Sequence, residues 1–475
     1  MLTRIEIDGF KTFRNFKLDI APFLVVLGRN ASGKSNMFDA IQFLGATADG
    51  TLMEAVQSTR GDLSELTHHY TDGSRVDTIK IAVEALLDSA VTDDFGDAVL
   101  VRHSRLRYEL ELQVRPVVSD LGAPDNERRE RLFVARERVT LIRQPDDKWI
   151  EAYGGKTAHR RNLAQYSSRA ADVLLDTIEH DGRPVFELRQ QGRAGKPKLL
   201  PAGGAVATVL STLTTAHDFP LLYALKKELL SWGLLHLDPQ ALRSVNSYDD
   251  DDVMTSAGEN LANALRRISL ATATPDRPVG ALPDIAADLA RIIPDVVDLK
   301  IDEDRQRRQR QVVVVTRDDA PYTARVASDG TLRALALLTA LYDPQSKGLI
   351  CFEEPENGIY PQRLVQFVTH LGNLVHEALC RRREDPSAPG LQLVLSSHSP
   401  VILKAMGRGS SADPYTREDV VFIDSVSLVT SDGISRVSRP RRIALDDQTR
   451  IPNELMGAVV SQAEIEAFQV EKLLA

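Results

Sequence analysis

The segment Gly28-Arg29-Asn30-Ala31-Ser32-Gly33-Lys34-Ser35 constrains this chain more than any other. It fits G-x-x-x-x-G-K-S/T, a spacing that phosphate chemistry demands. Glycines let the backbone wrap until its N–H groups point inward at an anion. The N-terminus of the following helix adds positive potential at the same place. Lys34 supplies a point charge for β- and γ-phosphates, and the Ser35 hydroxyl is a ligand for Mg²⁺. The flanks agree: Phe23–Leu27 is an apolar run that reads as a buried strand, and Lys34–Leu44 has helical spacing. Gln42 lies two helical turns beyond Ser35. It reads either as an ordinary polar helix residue or as a second side chain for Mg²⁺ or water. The expected cofactors are ATP and Mg²⁺.

A second feature is Gly348-Leu349-Ile350-Cys351-Phe352-Glu353-Glu354, an apolar strand ending in two carboxylates. A strand emerging beside the phosphate loop would bring Glu353 near Mg²⁺ and let Glu354 polarise an attacking water. Pro355-Glu356-Asn357-Gly358 then makes a tight turn. Upstream, Ser328-Asp329-Gly330 opens an apolar helix; it is either a common turn and cap or an anion site at a helix N-terminus. Downstream, Ser396-Ser397-His398-Ser399-Pro400 closes another buried strand, with His398 either structural or catalytic.

Strands are expected at Arg4–Ile7, Ile79–Leu86, Tyr108–Val114, Phe133–Ile142, Gln311–Thr316 and Val420–Asp424. Helices are expected at Leu221–Leu230, Gly258–Leu270, Ile285–Ile293, Leu332–Leu341 and Gln362–Cys380. Arg115–Glu130, with Pro and Gly, reads as a loop, Asp249–Asp252 as an acidic loop, and Gly155–Trp232 is mixed. The fold class is α/β: a P-loop NTPase with a mixed sheet, an antiparallel β subdomain and a helical insertion. No heptad pattern persists long enough for a coiled coil. The chain divides into a phosphate-loop lobe with the β subdomain (1–150), an insertion (151–310), a second ATPase lobe (311–430) and a C-terminal tail (431–475).

No apolar run approaches the ~20 residues of a membrane helix. Cys351 and Cys380 are the only cysteines among 475 residues, too few for a disulfide framework or a zinc site. A cytoplasmic protein is expected, with no membrane partner. A net charge of −9 argues against a chain coated with nucleic acid by bulk charge, though not against a local groove. Arg305–Arg310, Arg381–Arg383 and Arg436–Arg442 are basic runs that read either as phosphate contacts or as solvated loop and helix ends.

In order, these motifs make the chain resemble ABC-type ATPases of the SMC, RecF and OLD group, most closely their stand-alone bacterial AAA-family members. The likeness rests on Ile5–Phe13, on Asn30 and Asn36 in GRNASGKSN, on SDGTLR at Ser328–Arg333, on EEPENGIYP at Glu353–Pro361 and on SSHSP at Ser396–Pro400. It covers most of residues 1–430. It implies ATP binding at Gly28–Asn36, Mg²⁺ at Ser35 and Glu353, catalysis by Glu354 and His398, and a signature Ser328-Asp329-Gly330 acting in trans across a head dimer or higher even oligomer. Two residues depart from the pattern: Glu353 stands where aspartate is usual, and Tyr360 where histidine is usual. The stretch beyond Asp424 is short for a TOPRIM nuclease and lacks a D-x-D cluster, so no nuclease activity is assigned. The implied job is DNA sensing or repair or anti-phage defence. The alternative is a regulatory ATPase that holds a separately encoded nuclease or toxin effector, as in Septu- and PARIS-like systems. A transport or metabolic ATPase fits least.

Overall fold

The computed structural model describes residues 1–117, 129–168, 171–190, 196–318, 320–345, 348–404, 406, 419–443, 459–460, 464–465 and 468. The loop expected over Arg115–Glu130 lies largely outside them, as does most of the tail beyond residue 443.

A seven-stranded mixed sheet forms the centre, in the order Gly233–Leu235, Gly348–Glu353, Leu391–Ser397, Phe23–Leu27, Val420–Thr430, Gly433–Ile443, Val459–Val460. The first five run parallel to one another. Val420–Thr430 and Gly433–Ile443 form an antiparallel hairpin. Phe23–Leu27 and Gly348–Glu353 are buried at every residue, as strands covered on both faces must be. Leu24 and Val26 point into one apolar core, and Phe23, Val25 and Leu27 into another. The sheet is therefore the middle layer of three.

On one side lie the helices Lys34–Ala46 and Pro220–Leu230 and an eight-stranded antiparallel sheet. Its order is Lys198–Pro201, Arg183–Leu188, Val173–His180, Glu130–Leu141, Arg105–Pro116, Thr78–Leu86, Leu2–Asp8, Phe16–Asp19. Its inner face supplies Ile5, Ile7, Ile81, Val83, Leu110 and Leu112 to the first core. On the other side the helices Leu261–Ala271, Leu282–Ile292, Asp329–Tyr342 and Pro361–Glu384 enclose the second core with a small four-stranded sheet. Pro361–Glu384 starts with Pro at its first position, where the missing N–H costs nothing. Its buried Leu364, Phe367, Val368, Leu371, Val375 and Leu379 repeat at helical spacing and lay it along the sheet. The fold is an α/β P-loop NTPase head. Among the described residues no long coiled coil leaves it, and no helix is long and apolar enough to cross a membrane.

Expectations change or sharpen in four places. The acidic strand does not lie beside the phosphate-loop strand: Leu391–Ser397 sits between them, pairing Glu353 with Ser396 and Ser396 with Val26. The helix Pro361–Glu384 is the crossover that places the later strand there. The mixed stretch 155–232 contributes three strands to the antiparallel sheet, and residues 433–443 of the expected tail form a strand of the central sheet. The run Arg305–Arg310 is the turn and first residues of a hairpin between Val296–Asp304 and Gln309–Thr316.

Candidate nucleotide site

The phosphate loop begins where Phe23–Leu27 ends. Gly28 leaves no room for a side chain: a Cβ there would stand 2.4 Å from the Ile423 carbonyl oxygen. Ala31 (φ 60°) and Gly33 (φ 101°) take left-handed backbone, which folds the loop over the N-terminus of Lys34–Ala46. Arg29, Asn30 and Ala31 are exposed, whereas Ser32 and Lys34 are buried. The Lys34 ammonium donates to the carbonyls of Gly28 (2.8 Å) and Arg29 (2.9 Å), so it is folded back across the mouth of the loop. The Ser32 hydroxyl is buried and has no hydrogen-bond partner. Asn36 donates to the Thr12 hydroxyl at 3.0 Å.

Glu353 ends its strand 9% exposed. One of its oxygens lies 3.1 Å from His236 Nδ1; the other lacks a hydrogen bond and is 3.9 Å from the Arg60 guanidinium. Arg60 also pairs with Asp39, a fully buried carboxylate on the helix after the loop, which holds the Lys11 ammonium at 2.6 Å as well. Glu354 adopts φ 52°, a left-handed conformation that costs a side-chain-bearing residue about 1–3 kcal/mol. Its N–H is fixed on the Ser396 carbonyl at 2.8 Å, and its carboxylate accepts from Asn357 at 2.7 Å. His398 Nδ1 is 3.6 Å from Glu354 and 3.2 Å from Glu356, without hydrogen-bond geometry to either. Glu356 accepts from the Ser397 hydroxyl (2.6 Å) and the His398 N–H (3.0 Å), which ties the histidine loop to the acidic turn. Glu353, Glu354 and His398 thus meet at the carboxyl edge of the sheet, where parallel strands of open α/β sheets present their ligand crevice.

Ser328 caps Asp329–Tyr342, its hydroxyl accepting from the Thr331 N–H at 3.2 Å. Gly330 is packed backbone to backbone on Gly358: a Cβ at Gly330 would stand 2.0 Å from the Gly358 oxygen. Arg243 clamps the segment, donating to the Ala327 carbonyl at 2.9 Å and to the Asp329 carboxylate. Arg333 crosses beneath, donating to the carbonyls of Leu237 and Glu353 at 3.1 Å; burial lowers its pKa. The signature segment and the acidic turn therefore form one edge.

Gln42 lines a separate cavity of about 300 Å³ with Ser231, Trp232, Thr339 and Asp343. Seven residues of helix set it about 10 Å along the axis from Ser35, too far for two direct ligands of one Mg²⁺. Arg60, Asp39, His236, Arg243 and Glu356 escaped the sequence reading. Only Glu356 carried a signal, as the third acid of the EEPE turn.

The basic runs are mostly consumed within the chain. Arg310 stacks on Tyr248 and lies 3.2 Å from Glu303. Arg308 pairs with Asp249. Arg382 is buried, bonded to the Leu87 carbonyl and Asp88, and Arg383 bonds the Tyr153 carbonyl. Arg441 joins Asp424 and Glu464, and Arg442 lies 3.6 Å from Asp19.

None of the curated proteins matches the chain. An SMC head bound to the C-terminal winged-helix domain of ScpA aligns over 92% of this chain and 97% of that one, at 10% identity and TM-score 0.45. The SMC head domain from Thermotoga maritima aligns over 93% and 99%, at 8% identity and TM-score 0.38. The Pyrococcus furiosus SMC head with an extended coiled coil aligns over 92% and 96%, at 12% identity and TM-score 0.40. Scores this low add nothing to the strand order above. A family model described as an AAA domain, putative AbiEii toxin, type IV toxin–antitoxin system, matches residues 23–404. That span runs from the phosphate-loop strand past the histidine loop, and the chain belongs to this AAA-domain family.

Proposed function

We propose that this chain binds Mg·ATP at Gly28–Asn36 and hydrolyses it between two heads. The observation that carries this is the shared edge: three adjacent parallel strands end in the phosphate loop, the His398 segment and the Glu353–Glu354 turn. The residues fit the ligand. A buried Ser32 hydroxyl and a Glu353 oxygen lack hydrogen-bond partners there, and buried polar atoms rarely go unsatisfied. Among the described residues no cluster of three or more His, Cys, Asp or Glu side chains could hold a metal alone. That suits Mg²⁺, which is usually held by one or two carboxylates together with substrate phosphates.

The roles follow from position. The loop N–H groups and the Lys34 ammonium grip the phosphates, Lys34 exchanging two carbonyl partners for phosphate oxygens. Ser35 and Glu353 would hold Mg²⁺, which when bound neutralises charge developing on the phosphate oxygens. Glu354 orients and deprotonates the attacking water. His398, held by Glu356 through its backbone, offers a donor beside it. Ser328-Asp329-Gly330 serves the partner head's site. Tyr360 is 82% exposed and Val326 73% exposed on that edge, and exposed aromatic and apolar anchors of this kind suit an interface.

The experiment mixes two inactive variants. Lys34→Ala loses a charge-assisted phosphate contact, so its ATP affinity falls by at least about 2 kcal/mol. Ser328→Arg binds ATP but does not turn it over. Together they regain activity, because one of the two composite sites in a mixed dimer carries neither lesion. A mixture that stays inactive while subunits exchange refutes action in trans; unchanged ATP affinity in Lys34→Ala refutes the phosphate-loop assignment.

For the wider job, the pairing of basic residues favours a protein partner, such as a separately encoded nuclease or toxin effector, over direct DNA clamping. The outer face of the antiparallel sheet is a ladder of opposite charges: Arg4–Asp19, Arg107–Glu6, Lys80–Glu111 and Arg138–Glu109. Phosphate binding draws on unpaired cations, and these are already engaged. Duplex DNA titrated at low salt should bind weakly; tight, salt-dependent binding would restore the DNA reading.

A further inference from the structure

The hairpin that follows the matched family span touches the phosphate loop directly. The Ser438 hydroxyl, on the strand Gly433–Ile443 and 1% exposed, donates to the Ser32 carbonyl at 2.7 Å. Its own oxygen is 2.7 Å from the Thr12 hydroxyl, and Thr12 accepts from the Asn36 amide at 3.0 Å. The proton directions are forced. Asn36 can only donate from its nitrogen, and Ser438 has one proton, committed to a carbonyl. Thr12 must therefore donate to Ser438, and the chain runs one way: Asn36 amide, Thr12 hydroxyl, Ser438 hydroxyl, Ser32 carbonyl. A backbone hydrogen bond ties the turn at Thr12 to the strand at this point, with Ser438 N–H donating to the Thr12 carbonyl at 2.9 Å. Gly33 makes the approach possible, since a Cβ on it would stand 2.0 Å from the Ser438 oxygen and 2.9 Å from that of Thr12.

We infer that Ser438 is a positioning residue for the phosphate loop, acting through the Ser32–Gly33 peptide. A trans peptide is planar, so its C=O and N–H point in opposite directions. A hydrogen bond that pulls the Ser32 carbonyl out of the loop turns the Gly33 N–H into it, where phosphate oxygens are bound. Asn36, in the first turn of the helix after the loop, and Thr12, in the opening segment, set the far end of the chain. Three segments distant in sequence thus fix one peptide plane. The inference rests on the proposed ATP site and deepens it.

The test uses the full chain and Mg·ATP titrated by calorimetry. Ser438→Ala and Thr12→Val each remove a link and should weaken ATP binding about tenfold, the scale of one well-placed hydrogen bond to a loop that contacts charged phosphate. Thr12→Ser restores the hydroxyl and should rescue binding to within about twofold. Because the links act in series, the double variant Thr12→Val/Ser438→Ala should bind no more weakly than Ser438→Ala alone. In turnover the loss appears in KM, with kcat within about twofold, as expected when ground and transition states lose the same contact. A merely structural role would instead lower the active fraction and leave KM unmoved. Should Ser438→Ala fail to fold, the pair Thr12→Val and Thr12→Ser poses the same question. Unchanged affinity in Ser438→Ala, a Thr12→Ser variant as weak as Thr12→Val, or losses that multiply in the double variant would each overturn the proposal. Lys34→Ala run alongside separates the two levels: if it too binds like the parent, the ATP site itself is wrong.

Discussion

Replacing Gly330 with alanine sets two effects against each other. Gly330 lies in the first turn of a helix, and alanine in a helix interior is favoured over glycine by up to about 1 kcal/mol. Propensity alone therefore calls for a stabler protein. Packing opposes it. The added Cβ would stand 2.0 Å from the Gly358 oxygen, 2.6 Å from its carbonyl carbon and 3.3 Å from its Cα. All three are backbone atoms, so no side chain can swing aside, and ordinary contact would need the turn to retreat by more than about 1 Å. The turn has little freedom: Gly358 is held at φ 78°, and Glu354 at φ 52°. Overpacking of this kind costs about 1–3 kcal/mol, so packing wins and Gly330→Ala loses about 1–2 kcal/mol in urea unfolding. The displaced turn carries Glu354 with it, and a misplacement near 1 Å costs about 100-fold in rate. ATP binding at the phosphate loop should persist. The reasoning is refuted if Gly330→Ala is stabilised and turns over ATP like the parent chain.

Two further outcomes are expected. Glu354→Gln keeps its shape and loses the base, so ATP should bind but turn over at least about 100-fold more slowly; if Glu353→Gln is instead the slow, ATP-retaining variant, the roles of the two acids are exchanged. Burial pushes the Glu137 carboxyl from an ordinary 4.5 up to about 7, despite N–H donors from Val209 and Leu210. The folded chain then holds an extra proton between those values, so stability falls as pH rises through this window and the penalty, about 3 kcal/mol, is complete above it. Glu137→Gln should flatten that fall between pH 5 and pH 8 in urea unfolding; an unchanged slope would show that Glu137 titrates normally.

Elements with a strong period were legible from the residues alone. Phe23–Leu27 and the helix from Lys34 stand where apolar runs and spacing put them. The strands Val173–His180 and Arg183–Leu188 were not, because the first buries only Leu174 and Leu175 and the second only Phe186 and Leu188, with charged residues among the rest. Val296–Asp304 was hidden too, since only Val296 and Leu299 are buried among its mixed charges. The hairpin Val420–Thr430/Gly433–Ile443 was read only over its first five residues. Ser, Asp, Gly and Arg beyond Asp424 look like loop in isolation, and pairing with the preceding strand makes them sheet. Strand order was the least legible feature. Nothing local to Gly348–Glu353 says that a later strand will insert between it and Phe23–Leu27.

The candidate site divides along the same line. Its linear motifs were visible because phosphate chemistry fixes residue types at short spacings. The groups that hold those motifs in place come from elsewhere: Lys11 and Thr12, Arg60, His236, Arg243 and Ser438 lie between 21 and 426 residues from the atoms they contact or link. Their roles depend on contact rather than type. An arginine at position 60 is one basic residue among many until Asp39 and Glu353 are found on either side of it. The same logic accounts for the basic runs. Arg382 reads as a phosphate contact by type, yet its neighbours in space are a carbonyl and Asp88, and a cation already paired and 3% exposed has little to offer a polyanion. Type and spacing identify the chemistry that a segment can perform, while burial and pairing decide which of the candidates are free to perform it.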